Sequence, residues 1–218
     1  MSDDQRFSEW LRAGAEDDWQ RAITHRFVEE LFTGSVPGGV LRTYLVQDHQ
    51  FVDRFTALLG EAVAAADLTA SRMVLARQLG VVGGIESTYF QRCFDELGVT
   101  EPERNHPRLH PATRAFNDLM DRARESRDYA RCLTVLVVAE WLYLDWAQRA
   151  PSTPPASFLH REWIEMHNEP DFVEWVDWLR TELDRLGGEL DEQHRAQCRE
   201  LFAAATRLEA DFFDAAYE

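Results

Sequence analysis

Apolar residues recur at intervals of three and four along almost the whole 218-residue chain, and this spacing constrains the fold more than any other feature. Such a period predicts amphipathic helices, because side chains three and four positions apart share one helix face. None of the eight prolines interrupts a long periodic segment. We predict an all-α fold with helices at roughly 3–33, 38–65, 68–97, 110–125, 127–149, 155–167, 170–187 and 190–216.

The sequence contains neither an internal repeat nor a stretch of linker composition. The apolar helices are also too many and too close together to build two independent cores. We therefore expect residues 1–218 to form a single domain, a compact bundle of many helices.

Charge and composition exclude several classes of partner. The 23 basic and 39 acidic residues give a formal net charge of −16, and since nucleic-acid binding depends on Lys and Arg, we expect no nucleic-acid partner. No apolar run approaches the ~20 residues of a membrane span, and the N-terminus is acidic and polar, unlike a secretory signal. Three widely spaced cysteines suit reduced thiols. We expect a cytoplasmic protein that does not bind membranes.

Several ionisable residues occupy helix positions that should be apolar. Glu209 lies four residues before Phe213 and seven after Phe202, so it shares their inward face. Asp48 lies seven residues before Phe55 and interrupts the apolar stripe of the second predicted helix. Both carboxylates are therefore predicted to point into the bundle.

Three further residues extend this pattern. Glu140 lies inside the apolar sequence VVAEWLYLDW (137–146), Glu86 shares a helix face with Tyr89, and His167 follows an apolar Trp-Ile pair. Burying a lone carboxylate costs several kcal/mol unless it is paired or protonated. Five inward ionisable groups on five segments therefore predict a shared polar pocket, and such clusters mark functional sites.

Inward carboxylates from several helices are also typical of a di-iron centre, which pairs Glu-x-x-His motifs on two helices. Here the residue three positions after Glu86, and again after Glu140, is tyrosine. Tyrosines with acids suit a flat heteroaromatic ligand, because rings stack while carboxylates bind ring nitrogens and an exocyclic amine. The residues favour a small organic substrate with no metal and no cofactor, although a di-iron site using Glu86, Glu140, His167 and Asp171 stays open.

Six segments resemble, in the same order, the TenA or thiaminase II family. They are ITHRFVEELFTGSVPGGVLRTYLVQDHQF (23–51), GGIESTYFQRCFDELGV (83–99), HPATRAF (110–116), AEWLYLDWA (139–147), WIEMHNEPDFVEWV (163–176) and RLEADFFDAAY (207–217). The resemblance implies the haem-oxygenase-like helical fold and the hydrolysis of aminopyrimidines in thiamin salvage. It also implies a homo-oligomer, either a tetramer or a dimer.

The resemblance further implies roles for individual residues. An acid on the family's last helix, matching Glu209, donates a proton to the pyrimidine, and an aspartate matching Asp48 holds its amino group and ring nitrogen. The commoner branch attacks the ring with a cysteine, where this chain has Ala139 followed by Glu140. The chain is similar to the branch with a glutamate near this point, which implies Glu140 as a catalytic acid or base with Tyr143 beside it.

Three positions depart from the commoner branch. Phe51 and Phe116 stand where that branch has tyrosines, and His167 stands where it has a third. Phenyl rings stack but cannot donate protons, so we expect the substrate to differ from thiamin itself. The resemblance to the glutamate-containing branch implies amino- or formylamino-pyrimidine breakdown products of thiamin as substrates. We expect them to be bound by Asp48, Phe51, Glu86, Phe116 and His167. A di-iron oxidase on the same fold and a non-catalytic pyrimidine-binding regulator remain alternatives.

Overall fold

The computed structural model describes residues 5–218, apart from the side chains of residues 85–87. Within these limits every regular element is helical, in agreement with the predicted class. Twelve α-helices and one π-helical segment (Val82–Glu86, between α5 and α6) make up the described part of the chain. The α-helices are α1 Phe7–Ala13, α2 Glu16–Ile23, α3 Arg26–Thr33, α4 Gly38–Ala65, α5 Thr69–Val81, α6 Ser87–Glu96, α7 Glu101–Asn105, α8 Pro111–Glu125, α9 Tyr129–Ala147, α10 Phe158–Met166, α11 Pro170–Glu189 and α12 Glu192–Ala215.

The predicted first helix, 3–33, was wrong as one element, because it is broken into three. α1 ends at Ala13, before Gly14, and the Nδ1 atom of His25 accepts a hydrogen bond from the backbone N–H of Phe27 at the start of α3. Such a cap satisfies one of the donors that a helix start leaves unpaired. The predicted third helix, 68–97, is likewise interrupted by the π-helical segment.

Two other boundaries differ from the prediction. The predicted loop 98–111 contains the short helix α7, which begins with a reciprocal cap between Thr100 and Glu103. The helix predicted to begin at 155 begins at Phe158, after the proline-rich turn. Neither difference moves the long helices that carry the inward acids.

Helix α9 is the centre of the bundle. All of its residues except Arg131 and Asp145 are buried, which is typical of a helix surrounded by others. It packs against α2, α4, α8, α11 and α12, so residues that point inward from α4, α11 and α12 all approach it. Although α9 is mostly apolar, no helix in residues 5–218 is long and apolar enough to cross a bilayer.

Candidate active site

A cavity of about 180 Å³ opens between α4, α9, α10, α11 and the end of α5. Five of the residues predicted from sequence line it, namely Asp48, Phe51, Glu140, Tyr143 and His167. Most of the remaining wall is apolar and aromatic, with Phe55, Trp163, Phe172 and Trp175 among its members. The cavity thus combines aromatic faces with a few polar groups, which is the usual character of a small-molecule site.

Glu140 is held on the α9 wall by a tryptophan of α11. Its Oε1 atom accepts a hydrogen bond of 2.8 Å from Trp175 Nε1. Burial raises the pKa of Glu140 to about 7, although the hydrogen bond from Trp175 lowers it in part. This carboxyl group therefore exchanges its proton near neutral pH, which suits an acid or a base.

Asp48 lies on the α4 wall and is 4% exposed. Its Oδ2 atom has no hydrogen-bond partner among the described residues. Burial raises the pKa of Asp48 to about 8, so the side chain is mostly protonated at neutral pH. A protonated carboxyl offers both a donor and an acceptor to a ligand.

Glu209 lies on α12 and is 2% exposed, so its predicted inward direction is confirmed. Glu209 is not among the described side chains that line the cavity. Its Oε1 atom has no hydrogen-bond partner among the described residues. Burial raises the pKa of Glu209 well above its usual range, and the negative charges of Asp48 and Glu140 raise it further. Glu209 thus lies close enough to both acids for their negative charge to favour its protonated form.

Tyr143 and His167 line the same cavity, with ring centroids 4.9 Å apart. The Tyr143 hydroxyl is 2.7 Å from that of Tyr44 on α4. His167 Nδ1 lies 2.7 Å from the carbonyl oxygen of Trp163, which can only accept, so Nδ1 carries the proton and Nε2 is left as an acceptor. Burial lowers the pKa of His167 to about 4, so the ring is neutral at physiological pH.

The predicted phenylalanines occupy different layers. Phe51 lines the cavity, whereas Phe116 is fully buried and packs edge-on against Phe51 with ring centroids 4.8 Å apart. Phe116 is not among the described lining residues, so it supports the ring of Phe51, and its contact with a substrate stays a prediction. The predicted binding residue Glu86 has its side chain outside the described residues.

Sequence reasoning missed the tryptophans of the wall. Trp163 and Trp175 lie in the segment from which His167 and Asp171 were singled out but neither indole was. The Nε1 atom of Trp163 is buried without a partner among the described residues. The signal was present, since an indole buried in a core normally needs a hydrogen-bond acceptor. Trp175 finds its acceptor in Glu140, 35 residues away in sequence.

Gln47, next to Asp48, has a structural role that the sequence did not reveal. Its side-chain amide donates to the carbonyl of Arg108, at 3.1 Å, and its oxygen accepts from the His110 N–H, at 2.9 Å, and the Thr113 hydroxyl, at 2.8 Å. These bonds fasten the loop before α8 onto α4. The Gln47 side chain thus fixes the α4–α8 contact that supports Phe51 from behind.

The geometry of the cavity also bears on the two alternative chemistries, a di-iron centre and a cysteine nucleophile. In residues 5–218, side chains 85–87 aside, no group of three or more His, Cys, Asp or Glu is arranged to hold a metal ion. The di-iron alternative named Glu140, His167 and Asp171, which line the cavity, and Glu86, which is not described. Ala139, at the position that corresponds to the cysteine of the commoner branch, lines the cavity.

Known proteins resemble this chain over nearly its full length. It is 26% identical over 216 residues to the aminopyrimidine aminohydrolase of Bacillus subtilis (strain 168), covering 97% of this chain and 90% of that protein. It is 21% identical over 213 residues to the aminopyrimidine aminohydrolase of Halalkalibacterium halodurans, covering 97% of this chain and 95% of that protein.

The fold is similar to that of the TenA homologue protein from P. horikoshii OT3, with a TM-score of 0.86, 20% sequence identity, and coverage of 98% of this chain and 99% of that chain. This confirms the predicted all-α, haem-oxygenase-like bundle. The sequence model of the TENA/THI-4/PQQC family matches residues 12–218, and the chain therefore belongs to that family.

Proposed function

We propose that the protein is an aminopyrimidine hydrolase that acts on amino- or formylamino-pyrimidine breakdown products of thiamin, as expected for thiamin salvage. The observation that carries the proposal is the set of three buried acids, Asp48, Glu140 and Glu209, beside one aromatic-walled cavity. Asp48 and Glu209 each keep an oxygen without a partner among the described residues. Unpaired buried polar atoms are costly unless a ligand satisfies them.

The reaction replaces an amine by a hydroxyl group on the carbon attached to the ring. The C–N bond breaks and a C–O bond to water forms. The amine, or formamide in the case of a formylamino compound, leaves with the proton that water gives up. A pyrimidine ring presents nitrogen acceptors and an exocyclic amino donor, and a protonated carboxyl with a free oxygen matches such a pair. Asp48 therefore binds the amino group and the adjacent ring nitrogen.

Glu209 supplies the proton for the ring. It is buried, it keeps its proton at neutral pH, and it lies near both other acids. Protonation of a ring nitrogen draws electrons from the carbon that carries the leaving group and so weakens the C–N bond. Because Glu209 is not on the described cavity wall, we infer that the substrate ring approaches it from the Asp48 side.

Glu140 serves as the base for water. Its pKa of about 7 gives it a useful ionised fraction at neutral pH. Trp175 fixes one of its oxygens, and the side chain lines the cavity. Tyr143 and the neutral His167 offer further hydrogen bonds to the water or to the departing amine. Phe51 and Trp163 provide ring faces against which a flat substrate stacks.

The direct test is ammonia release from 4-amino-5-aminomethyl-2-methylpyrimidine, with the 5-hydroxymethyl product identified by mass spectrometry. We expect one ammonia for each product molecule, with protein that carries no stoichiometric iron or manganese by elemental analysis. Binding of the compound without ammonia release would support the regulator alternative instead. Stoichiometric iron or manganese would support the oxidase.

Several expectations from the sequence remain proposals of the same kind. We infer that the protein is cytoplasmic, that it forms a homo-oligomer, either a tetramer or a dimer, and that it binds no nucleic acid. The net charge of −16 supports the last of these.

A further inference from the structure

The cavity mouth carries a charge pattern that the chemistry of the ring does not require. Glu169 and Asp171, at the start of α11, line the mouth and are exposed. Among the described lining residues there is no Lys or Arg. His167, which lines the cavity, is neutral because burial lowers its pKa to about 4. The entrance therefore offers negative charge and no described positive charge to an arriving ligand.

A second hollow adjoins the mouth and does not reverse this pattern. The two hollows share Met166 and Glu169. The second one contains two arginines, but Arg92 is paired with Glu162 through two hydrogen bonds of 2.7 and 2.9 Å. The other, Arg161, donates to the carbonyl of Ala156. Against these two cations stand three carboxylates, those of Glu162, Glu165 and Glu169.

Acids at a helix start have an ordinary structural explanation, because they interact favourably with the helix dipole. Glu169 is the N-cap of α11, yet its side chain makes no capping hydrogen bond to the described backbone. A second observation points to a ligand. Asp48 is 4% exposed, lines the same cavity and keeps Oδ2 without a described partner. The acidic mouth thus leads into a cavity in which a buried carboxyl oxygen of Asp48 has no described hydrogen-bond partner.

We propose, on the basis of the aminopyrimidine site described above, that Glu169 and Asp171 select substrates by charge. Pyrimidines whose side chain at the reacting end is cationic are preferred, neutral ones are accepted, and phosphorylated or carboxylated ones are excluded. An ammonium group at the mouth meets two carboxylates, whereas a phosphate there meets the same charges with no described cation to balance it. The net charge of −16 repels anions from the rest of the surface as well.

The expected effect is modest for each carboxylate because both are exposed to solvent. An exposed charge several ångströms from the ligand changes affinity by about two- to threefold in water, so the pair together accounts for about fivefold. Salt weakens such interactions, since the Debye length falls to about 3 Å at 1 M. A preference set by the mouth should therefore shrink as salt is added.

Three probes with the same 4-amino-2-methylpyrimidine ring test the proposal by calorimetry at low ionic strength and neutral pH. Their substituents at ring position 5 are 2-aminoethyl (a cation), 2-hydroxyethyl (neutral) and the phosphate ester of the latter (an anion). None carries a leaving group on the carbon next to the ring, so binding is measured without turnover. The binding measurement therefore tests the charge preference even if the protein does not hydrolyse aminopyrimidines. We expect the cation to bind about fivefold more tightly than the alcohol, and the phosphate at least as much more weakly.

The double variant Glu169→Gln, Asp171→Asn should bring the dissociation constants of the cation and the alcohol to within about twofold of each other, and it should reduce the disadvantage of the phosphate several-fold. The matched control is Glu174→Gln, which removes one exposed charge from the same helix but does not line the cavity, and it should keep the wild-type order. A thermal melt of each variant separates lost helix stability from changed selectivity. Wild-type protein that binds the phosphate as tightly as the alcohol would overturn the proposal. So would a double variant that weakens all three probes equally, or a control that matches the double variant.

Discussion

Two buried glutamates, Glu182 on α11 and Glu209 on α12, are exposed by only 7% and 2%, yet their pKa values shift in opposite directions. Burial raises the pKa of Glu182, but hydrogen bonds from Arg185, Ser71 and Tyr129 outweigh it, and the pKa lies below its usual range. Glu209 has no such partners among the described residues, and its pKa lies well above the usual range. Burial alone therefore does not decide the charge of an inward acid.

The partners account for the difference. Glu182 Oε1 accepts from the Ser71 hydroxyl at 2.5 Å and the Tyr129 hydroxyl at 3.0 Å, and Arg185 donates to both carboxylate oxygens at 2.9 Å. A satisfied, ionised carboxylate of this kind holds α5, α9 and α11 together. A protonated carboxyl group beside a cavity, with a polar atom that lacks a hydrogen-bond partner, can instead bind a ligand. The comparison separates a structural acid from a functional one by its partners.

The largest effect is expected from Glu209→Gln. Glutamine keeps the shape of the side chain but cannot transfer a proton, so kcat for ammonia release should fall by about 10²- to 10⁴-fold. Stability at neutral pH should stay equal or rise, because the variant no longer has a buried group to keep protonated. Steady-state kinetics and urea unfolding measure the two quantities.

The matched control for Glu209 is Glu200→Gln, an exposed position on the same helix, which should leave kcat unchanged. Near-wild-type turnover by the Glu209 variant would remove Glu209 from the proton-donating role. A loss of stability as large as that of a core mutation would place Glu209 with Glu182 as a structural acid.

Asp48→Asn tests, through the pH dependence of stability, whether Asp48 is a protonated acid like Glu209 or an ionised one like Glu182. The ordinary pKa of an aspartate is about 3.9, and burial raises that of Asp48 to about 8 in the folded protein. Between about pH 5.5 and pH 8 the folded chain thus holds a proton that the unfolded chain has lost, so its stability falls as pH rises. At about 1.4 kcal/mol for each pH unit, this group removes about 3 kcal/mol across that range.

The Asp48 variant should therefore lose about 3 kcal/mol less stability than the wild type between those two pH values, by urea unfolding at each. Asp53→Asn is the control, since Asp53 lies on the same helix and is 73% exposed. Equal pH slopes for the Asp48 variant and the wild type would show that Asp48 is ionised in the folded protein, as Glu182 is.

Glu182→Gln should have the opposite effect on stability. The amide can still accept hydrogen bonds but loses the charge that Arg185 neutralises, so the free energy of unfolding should fall by about 2 kcal/mol at neutral pH. Because the pKa of Glu182 is lowered on folding, this contribution is present above the unfolded pKa of about 4.3 and disappears as pH falls. The wild type and the variant should therefore converge on acidification. Glu189→Gln, exposed on the same helix, should change little at any pH, and a stable Glu182 variant would contradict the structural role.

The sequence predicts the helix faces well and the partners across helices poorly. Periodicity placed Asp48, Glu140 and Glu209 inside the bundle, because the face of a helix depends on local spacing alone. It could not distinguish Glu182 from Glu209, since both are inward acids on amphipathic helices. Their difference comes from partners on other elements, such as Ser71 on α5, whose approach depends on the packed fold.

The same reasoning explains the missed breaks in the first predicted helix. No proline lies between residues 3 and 33, and His25 is not among the residues most often found as caps. The hydrogen bond from Trp175 to Glu140 could not be predicted from the sequence either, because it joins two helices whose packing depends on the folded structure. Local rules therefore identify the candidate acids, and tertiary contacts decide what each one does.

Trp175→Phe gives the smallest effect and isolates one of those contacts. Glu140 lies between the two extremes, because burial raises its pKa to about 7 while the single hydrogen bond from Trp175 lowers it in part. Phenylalanine keeps an aromatic ring against Trp178, whose ring is 5.6 Å away, but removes the N–H donor. Losing a hydrogen bond to an ionised group should raise the Glu140 pKa by about one unit.

If Glu140 is the base, kcat/KM rises with pH through the Glu140 pKa, and in the Trp175 variant this rise should move from about pH 7 to about pH 8. Activity near pH 7 should then be about fivefold lower and should recover at higher pH, which a misfolded site would not do. Trp178→Phe, which keeps the Trp175 N–H, should leave the profile in place. A profile that falls with pH through this range would instead assign Glu140 as an acid. An unshifted profile would mean that Glu140, like Glu182, has its protonation state set by partners other than Trp175.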